Sequence, residues 1–235
     1  MIFSLAMPIA YRKILDENTE FAIWKIEETY DELYTQLQLR DHERVVLEGL
    51  NNGKRNLHWL STRVLLRHLL NTAEYIDCKV DSDGKPFIAN LPYQISLSHS
   101  FDYAAVIISK DKPVGIDIEI IKDKIERVAG KFLAEDERDF LDPERKIEHL
   151  YVCWCAKEAI YKLQGKRNIS FKDHIRLEAF QYEVAGSFKA MLEADQTYKT
   201  FNVHYERFEN YMIGYVAGCT ELVSEVPIKN GSDEK

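Results

Sequence analysis

Residues Val114–Glu119 read VGIDIE, an apolar run of strand type that carries two carboxylates, Asp117 and Glu119. In a strand, residues two apart share a face. Both acids therefore project the same way, with Ile116 and Ile118 on the opposite face. Two like charges so close repel unless something positive sits between them. A hard divalent cation such as Mg²⁺ is one solution, because it prefers carboxylate, water and phosphate oxygens. An exposed edge with its acids paired to Lys122 or Lys124 is the other. Read alone, the segment favours the solvated edge.

Other stretches carry polar chemistry at regular spacing. In WCAKEAIYK, Trp154–Lys162, helical periodicity stacks Trp154, Glu158 and Lys162 along one face. That is either a surface ion pair or a carboxylate and an ammonium aimed at one site. SLSHS, Ser96–Ser100, ends a strand-like run with three hydroxyls and His99. These suit a phosphate or a turn. In DGKP, Asp83–Pro86, Gly84 and Pro86 explain a turn but leave Lys85 free to anchor an anion or stay solvated.

The surrounding pattern mixes helices and strands. Residues 18–27 read as a strand, followed by helical patterns at 30–39, from Asp41 and over 52–71. Strand-like runs follow at 93–100, 103–109 and 114–121, the last two joined by KDKP and predicted to form a hairpin. Two short helical stretches precede a long helix over 142–165, with Asp142 at the cap, Pro143 at the first position and Gly165 as the stop. The remainder is strand-rich. An α+β chain of two lobes is expected, meeting near residues 110–114: 1–112 as the N-terminal lobe, 113–223 as the C-terminal lobe, and 224–235 as a flexible polar tail.

The 235 residues, 46% hydrophobic and 30% charged, suffice for a core without disulfide support. The four cysteines fit no zinc pattern and read as reduced thiols. The net charge of −8 disfavours indiscriminate nucleic-acid binding but leaves room for a small anionic ligand held by a local cluster. The apolar N-terminus lacks a basic leader, is interrupted by Pro8 and is too short to span a bilayer. A buried first strand, and a cytoplasmic chain, are expected.

In chain order the motifs are GKP, SLSHS, GIDIE and WCAKEAIYK. Each is weak singly; together, at these intervals, they resemble the Sfp-type 4′-phosphopantetheinyl transferases. Relatives of the short holo-acyl-carrier-protein synthase group begin near their GID motif and form trimers. Here GIDIE starts only at Gly115, which is similar to the longer form, a pseudo-dimer of two fused similar lobes with the active site in the cleft between them.

The resemblance implies transfer of 4′-phosphopantetheine from coenzyme A to a serine of an apo acyl, peptidyl or aryl carrier protein, leaving adenosine 3′,5′-bisphosphate. It implies that Asp117, Glu119 and Glu158 hold Mg²⁺ with the coenzyme A pyrophosphate, and that Lys162 contacts the pyrophosphate with help from Lys157. Lys85, Ser98 and His99 would surround the nucleotide end. Arg44 is the best match for an upstream basic residue on the 3′-phosphate, with Arg55 and Arg63 as rivals. Glu158 is the preferred general base for the serine proton. Glu137 is either a helper there or, more simply, a solvated helical acid. The basic stretch Lys122, Lys124, Arg127 and Lys131, with Ile125, Val128 and Phe132 as an apolar face, is expected to dock an acidic carrier. GKRNISF, from Gly165, departs from the family pattern at Arg167 and Asn168. No nucleic acid or membrane partner is expected, and the chain should act as a monomer. A metal-dependent nucleotide-pyrophosphate hydrolase, or a non-catalytic coenzyme A or carrier-binding protein, are the alternatives.

Overall fold

The computed structural model describes residues 9–50, 53–194 and 197–223. Of the buried strand expected in the ten apolar N-terminal residues, only Ile9 and Ala10 fall within them, at the start of β1, and the tail from residue 224 lies outside. The elements in order are β1 (Ile9–Asp16), β2 (Thr19–Lys25), α1 (Tyr30–Tyr34), α2 (Asp41–Gly49), α3 (Lys54–Leu70), β3 (Cys78–Val80), β4 (Pro86–Ile88), β5 (Gln94–Ser100), β6 (Tyr103–Ser109) and β7 (Val114–Ile120). Then come α4 (Ala129–Phe132), α5 (Lys146–Gln164), α6 (Phe171–His174), β8 (Ile175–Leu177), β9 (Ala185–Ala194), β10 (Thr197–Phe208), β11 (Tyr211–Ala217) and β12 (Glu221–Val223). The protein is thus a mixture of helices and antiparallel sheets.

One sheet runs β1-β2-β6-β5 and the other β7-β11-β10-β9-β8, with β12 pairing β10; β3 and β4 form a small separate ribbon. This corrects one expectation. The runs 103–109 and 114–120 are not a hairpin: β6 pairs with β2 and β5, whereas β7 pairs with β11. The KDKP connection carries the chain from one sheet to the other. Turn chemistry marks a reversal, but it does not say which edge the next strand joins.

Alternation along the strands sorts the core. Ala22 and Trp24 of β2 and Ala104, Val106 and Ile108 of β6 pack with Leu60, Val64 and Leu65 of α3. The alternate residues, Phe21, Ile23, Tyr103, Ala105 and Ile107, meet Val114, Ile116 and Ile118 of β7 and Tyr211, Ile213 and Tyr215 of β11. The other face of the second sheet, with Met212, Val216 and Phe201, packs on α5 through Cys155, Ala159 and Leu163. The central strands are covered on both faces, which is why they read as unbroken apolar runs.

The long helix starts later than its sequence suggests. It runs from Lys146, and the Asp142 carboxylate instead accepts from the N–H groups of Glu144 and Arg145, forming a turn ahead of it. Its end is as expected: Gly165 takes the left-handed cap at φ 73°. All four cysteines are free.

Candidate active site

β7 resolves the puzzle of its own charges. Val114, Ile116 and Ile118 fill the core between the sheets, so Gly115, Asp117 and Glu119 must face α5. Helix and strand meet closely because two positions lack a side chain. A Cβ at Gly115 would strike the carbonyl oxygen of Ala159, and one at Gly214 would lie 2.8 Å from the carbonyl carbon of Cys155. Gly214 is the cross-strand partner of Asp117. The two glycines thus let α5 lie on the sheet at the level of Asp117, with Glu158 and Lys162 at hand.

The other wall comes from the first sheet. β5 and β7 are neighbouring edges joined by side chains rather than by a ladder. The hydroxyls of Ser96, Ser98 and Ser100 accept from the N–H groups of Ile116, Ile118 and Ile120 at 3.1, 3.3 and 3.1 Å. Ser98 donates to Asp117 Oδ1 and Ser100 to Glu119 Oε2, each at 2.8 Å. Lys162 Nζ donates to Asp117 Oδ1 at 2.7 Å, Ser98 Oγ at 2.9 Å and the Ile116 carbonyl at 3.2 Å. The sequence offered these serines as phosphate donors. Their period of two on a strand was the available signal that they work as a row.

Asp117 is only 4% exposed, and its Oδ2 is buried without a hydrogen-bond partner. Burial and then the charge of Asp117 raise the carboxyl groups of both Glu119 and Glu158, the latter to about 7 despite Lys162. Among the described residues, no three His, Cys, Asp or Glu side chains form a ready metal-ligand cluster. The donor set nevertheless suits a hard cation. An orphaned carboxylate oxygen and two carboxyls made reluctant to ionise by a third would all be relieved by Mg²⁺ with phosphate oxygens completing its shell. Asp117, Glu119 and Glu158 are the residues that fit it.

Two clefts lie near this cluster. One, of about 310 Å³, is lined by Gly84, Lys85, Ser96, Tyr161, Lys162 and Gly165. There Lys85 Nζ donates to the Leu163 carbonyl and Arg167 Nε to that of Asp83 at 2.8 Å. The DGKP turn is thereby tied to the end of α5, a role for Arg167 that the sequence did not suggest. Burial lowers the Lys85 ammonium. The other, of about 340 Å³, is lined by Glu119, Lys124, Ile125, Arg127, Val128, Tyr151 and Trp154.

Several expected residues stand elsewhere. His99 lies on the β5 face opposite Ser98 and stacks on His58 at 4.2 Å. Part of its ring stays at the surface, yet the protein around it, then His58 and Lys162, push it down to about 4. Arg44 is paired with Asp41 on α2 at 3.2 Å, and Arg55 is exposed at the start of α3. Arg63 is half-buried, with its guanidinium over the Trp59 ring at 3.6 Å.

Lys157 requires a correction. It is fully buried, and its Nζ is taken by Glu137 at 2.6 Å and by the carbonyls of Phe132, Phe171 and Ile175 at 2.9, 3.0 and 2.8 Å. With every proton engaged it has none for a pyrophosphate. Glu137 is corrected with it: far from solvated, it is 2% exposed and also accepts from the N–H groups of Ala134 and Leu177. The apolar face expected of the 122–132 stretch likewise turns inward, since Ile125 and Phe132 belong to the core.

The site thus gathers carboxylates, an ammonium and serines from two sheet edges and one helix of a mixed α and β fold. Residues 113–216 match the model of the 4′-phosphopantetheinyl transferase superfamily. The chain is similar to the 4′-phosphopantetheinyl transferase psf-1 of Bacillus pumilus, 37% identical over 112 residues, or 44% of this chain and 48% of that protein. It is also similar to the 4′-phosphopantetheinyl transferase AcpT of Escherichia coli K12, 34% identical over 127 residues, or 50% of this chain and 63% of that one. The chain spans about half the length of the curated relatives it matches. The similarity centres on residues 113–216, the part of the chain that carries GIDIE and WCAKEAIYK.

Proposed function

We propose that the chain transfers 4′-phosphopantetheine from coenzyme A to a serine of an apo carrier protein. The observation that carries this is the cluster of Asp117, Glu158 and Lys162 beside two clefts, one lined by Lys85 and Lys162 and the other, partly apolar, by Glu119. The arrangement suits an elongated molecule with a polyanionic head and a neutral tail. The nucleotide belongs in the Lys85 cleft, the pyrophosphate at Lys162 and the carboxylates, and the pantetheine and incoming serine beyond Glu119.

In this reading the serine oxygen forms a bond to the pantetheine-side phosphorus. The phosphoanhydride bond breaks, and adenosine 3′,5′-bisphosphate leaves with the electron pair. Glu158, on the α5 face that meets Asp117 and Lys162, accepts the serine proton as general base. Lys162 holds the pyrophosphate against Asp117. Mg²⁺, when bound by Asp117, Glu119 and Glu158, supplies compensation for charge on the phosphate oxygens. The two sheets, each with its long helix, α3 or α5, are read as the two lobes of a fused pseudo-dimer, divided near residue 112 and working as a monomer.

The test is to incubate the chain with coenzyme A, Mg²⁺ and an apo carrier and to weigh the carrier. A 4′-phosphopantetheine adduct is expected. Coenzyme A cleavage without an adduct would replace this reading with the hydrolase, and no reaction would leave a binding protein.

A further inference from the structure

The turn between β5 and β6 consists of Phe101 and Asp102. Its first residue has φ 53°, a place that glycine takes freely in a two-residue hairpin and that a bulky side chain resists. Phenylalanine stands there, with 45% of its surface exposed. A ring needed to fill space would be buried, and a residue needed only for the turn would be glycine. The equivalent turn between β10 and β11 places Glu209 at φ 50°, but that side chain has a purpose within the fold: it accepts from Tyr103 Oη at 2.9 Å. Phe101 has no such inward role in any of the three core clusters.

The turn is instead fixed from behind and the ring dressed with charge. The Phe101 carbonyl pairs with His58 Nε2 at 2.7 Å, and Asp102 with Lys54 at 3.3 Å. Lys122 Nζ lies 3.7 Å from the ring centroid and Lys54 Nζ 4.7 Å, both within cation–π range. The place is also specific. Ser100, the residue before, donates to Glu119, and Lys122 follows Glu119 by three positions. Lys124 and Arg127 line the same cleft as Glu119. On a chain of net charge −8, the side of the site at Glu119 thus carries an exposed aromatic ring under two cations, with two more lining the cleft that holds Glu119.

We propose that Phe101 is a contact for the carrier protein, with Lys54 and Lys122 orienting its ring and drawing in acidic side chains around the modified serine. The inference rests on the transferase reading above, which puts the nucleotide in the Lys85 cleft and so brings the serine-bearing partner in on the side where Phe101 stands. An acidic partner with an apolar residue beside its serine matches both parts of the patch. Phe101 contributes selectivity among carriers rather than chemistry.

The experiment compares wild type, Phe101→Gly and Phe101→Trp with an apo acyl carrier protein and an apo peptidyl carrier domain. Rates are read as KM and kcat for each carrier and for coenzyme A, alongside Tm. Phe101→Gly is expected to raise carrier KM about tenfold, as loss of an aromatic anchor does, and to leave coenzyme A KM in place. Its Tm should be equal to or above wild type, because glycine is free at this φ. Phe101→Trp should stay within about threefold of wild type on carrier KM, since a larger ring keeps the contact. An unchanged carrier KM in Phe101→Gly while wild type modifies the carriers overturns this inference alone, and so does a shift in coenzyme A KM. A wild type that modifies neither carrier overturns the transferase reading and this inference with it.

Discussion

Ser98 Oγ donates to Asp117 Oδ1 at 2.8 Å while accepting from Ile118 N at 3.3 Å and Lys162 Nζ at 2.9 Å. One hydroxyl thus closes a sheet edge, orients a carboxylate and seats an ammonium. Ser98→Ala leaves a strand N–H and a buried carboxylate each one partner short. The expected loss is about 1–3 kcal/mol of stability, together with slower transfer because Asp117 is no longer held. Urea unfolding and single-turnover transfer measure the two parts. A variant of unchanged stability would show that water replaces the hydroxyl and that the serine row does not join the edges.

The approach of α5 to the sheet depends on Gly115. Its Cβ would meet backbone, the Ala159 carbonyl, and not the tip of a movable side chain. Gly115→Ala should therefore shift the helix next to Glu158, cost about 3 kcal/mol or more and abolish transfer. Gly49 has open space around it, so Gly49→Ala serves as the control and should keep its activity. Equal Tm for Gly115→Ala and wild type would show that helix and sheet separate easily.

Lys157→Met tests the reassignment of that residue. Removing the ammonium leaves Glu137 buried as an uncompensated charge, so a loss of about 3–5 kcal/mol is expected. Lys157→Met with Glu137→Gln should recover part of it, because the second change removes that charge. Coenzyme A KM in the folded double variant should match wild type. A rise of tenfold or more in that KM would return Lys157 to the pyrophosphate.

What was legible in the sequence follows from the range of each signal. Period-two alternation around Ile116 and Ile118 put Asp117 and Glu119 on one face, and the structure agrees, because strand geometry is local. Helical spacing put Glu158 and Lys162 on one face of α5 for the same reason. Which edge β7 would pair with was not local, so the predicted hairpin between 103–109 and 114–120 failed. Lys157 was misplaced because its neighbour Glu158 faces Asp117 and Lys162. One residue along a helix is a turn of about 100°, enough to send Lys157 into the core. Its partner Glu137 lies twenty residues earlier in another element, and nothing in the chain order announces the pair.

Glu158 gives the last prediction. Its carboxyl ordinarily titrates near 4.5 but is raised to about 7 in the fold by burial and by Asp117. Between those values the folded chain holds a proton that the unfolded chain has released. Stability therefore falls as pH rises through that window, by at most about 3 kcal/mol above pH 7. His99 and His149, both lowered to about 4 chiefly by burial, act in the opposite sense, so the variant must be compared with wild type at each pH. Without divalent cation, Glu158→Gln should be more stable than wild type at pH 8 and nearly equal at pH 5. Added Mg²⁺ should raise the Tm of wild type more at pH 8 than at pH 5, because the cation favours the ionised carboxylates. In Glu158→Gln that rise should shrink at pH 8. Scanning calorimetry at both pH values with and without Mg²⁺ reads all of this. A Mg²⁺-induced rise of the same size in wild type and Glu158→Gln would remove Glu158 from the cation site and leave Asp117 and Glu119 to hold it.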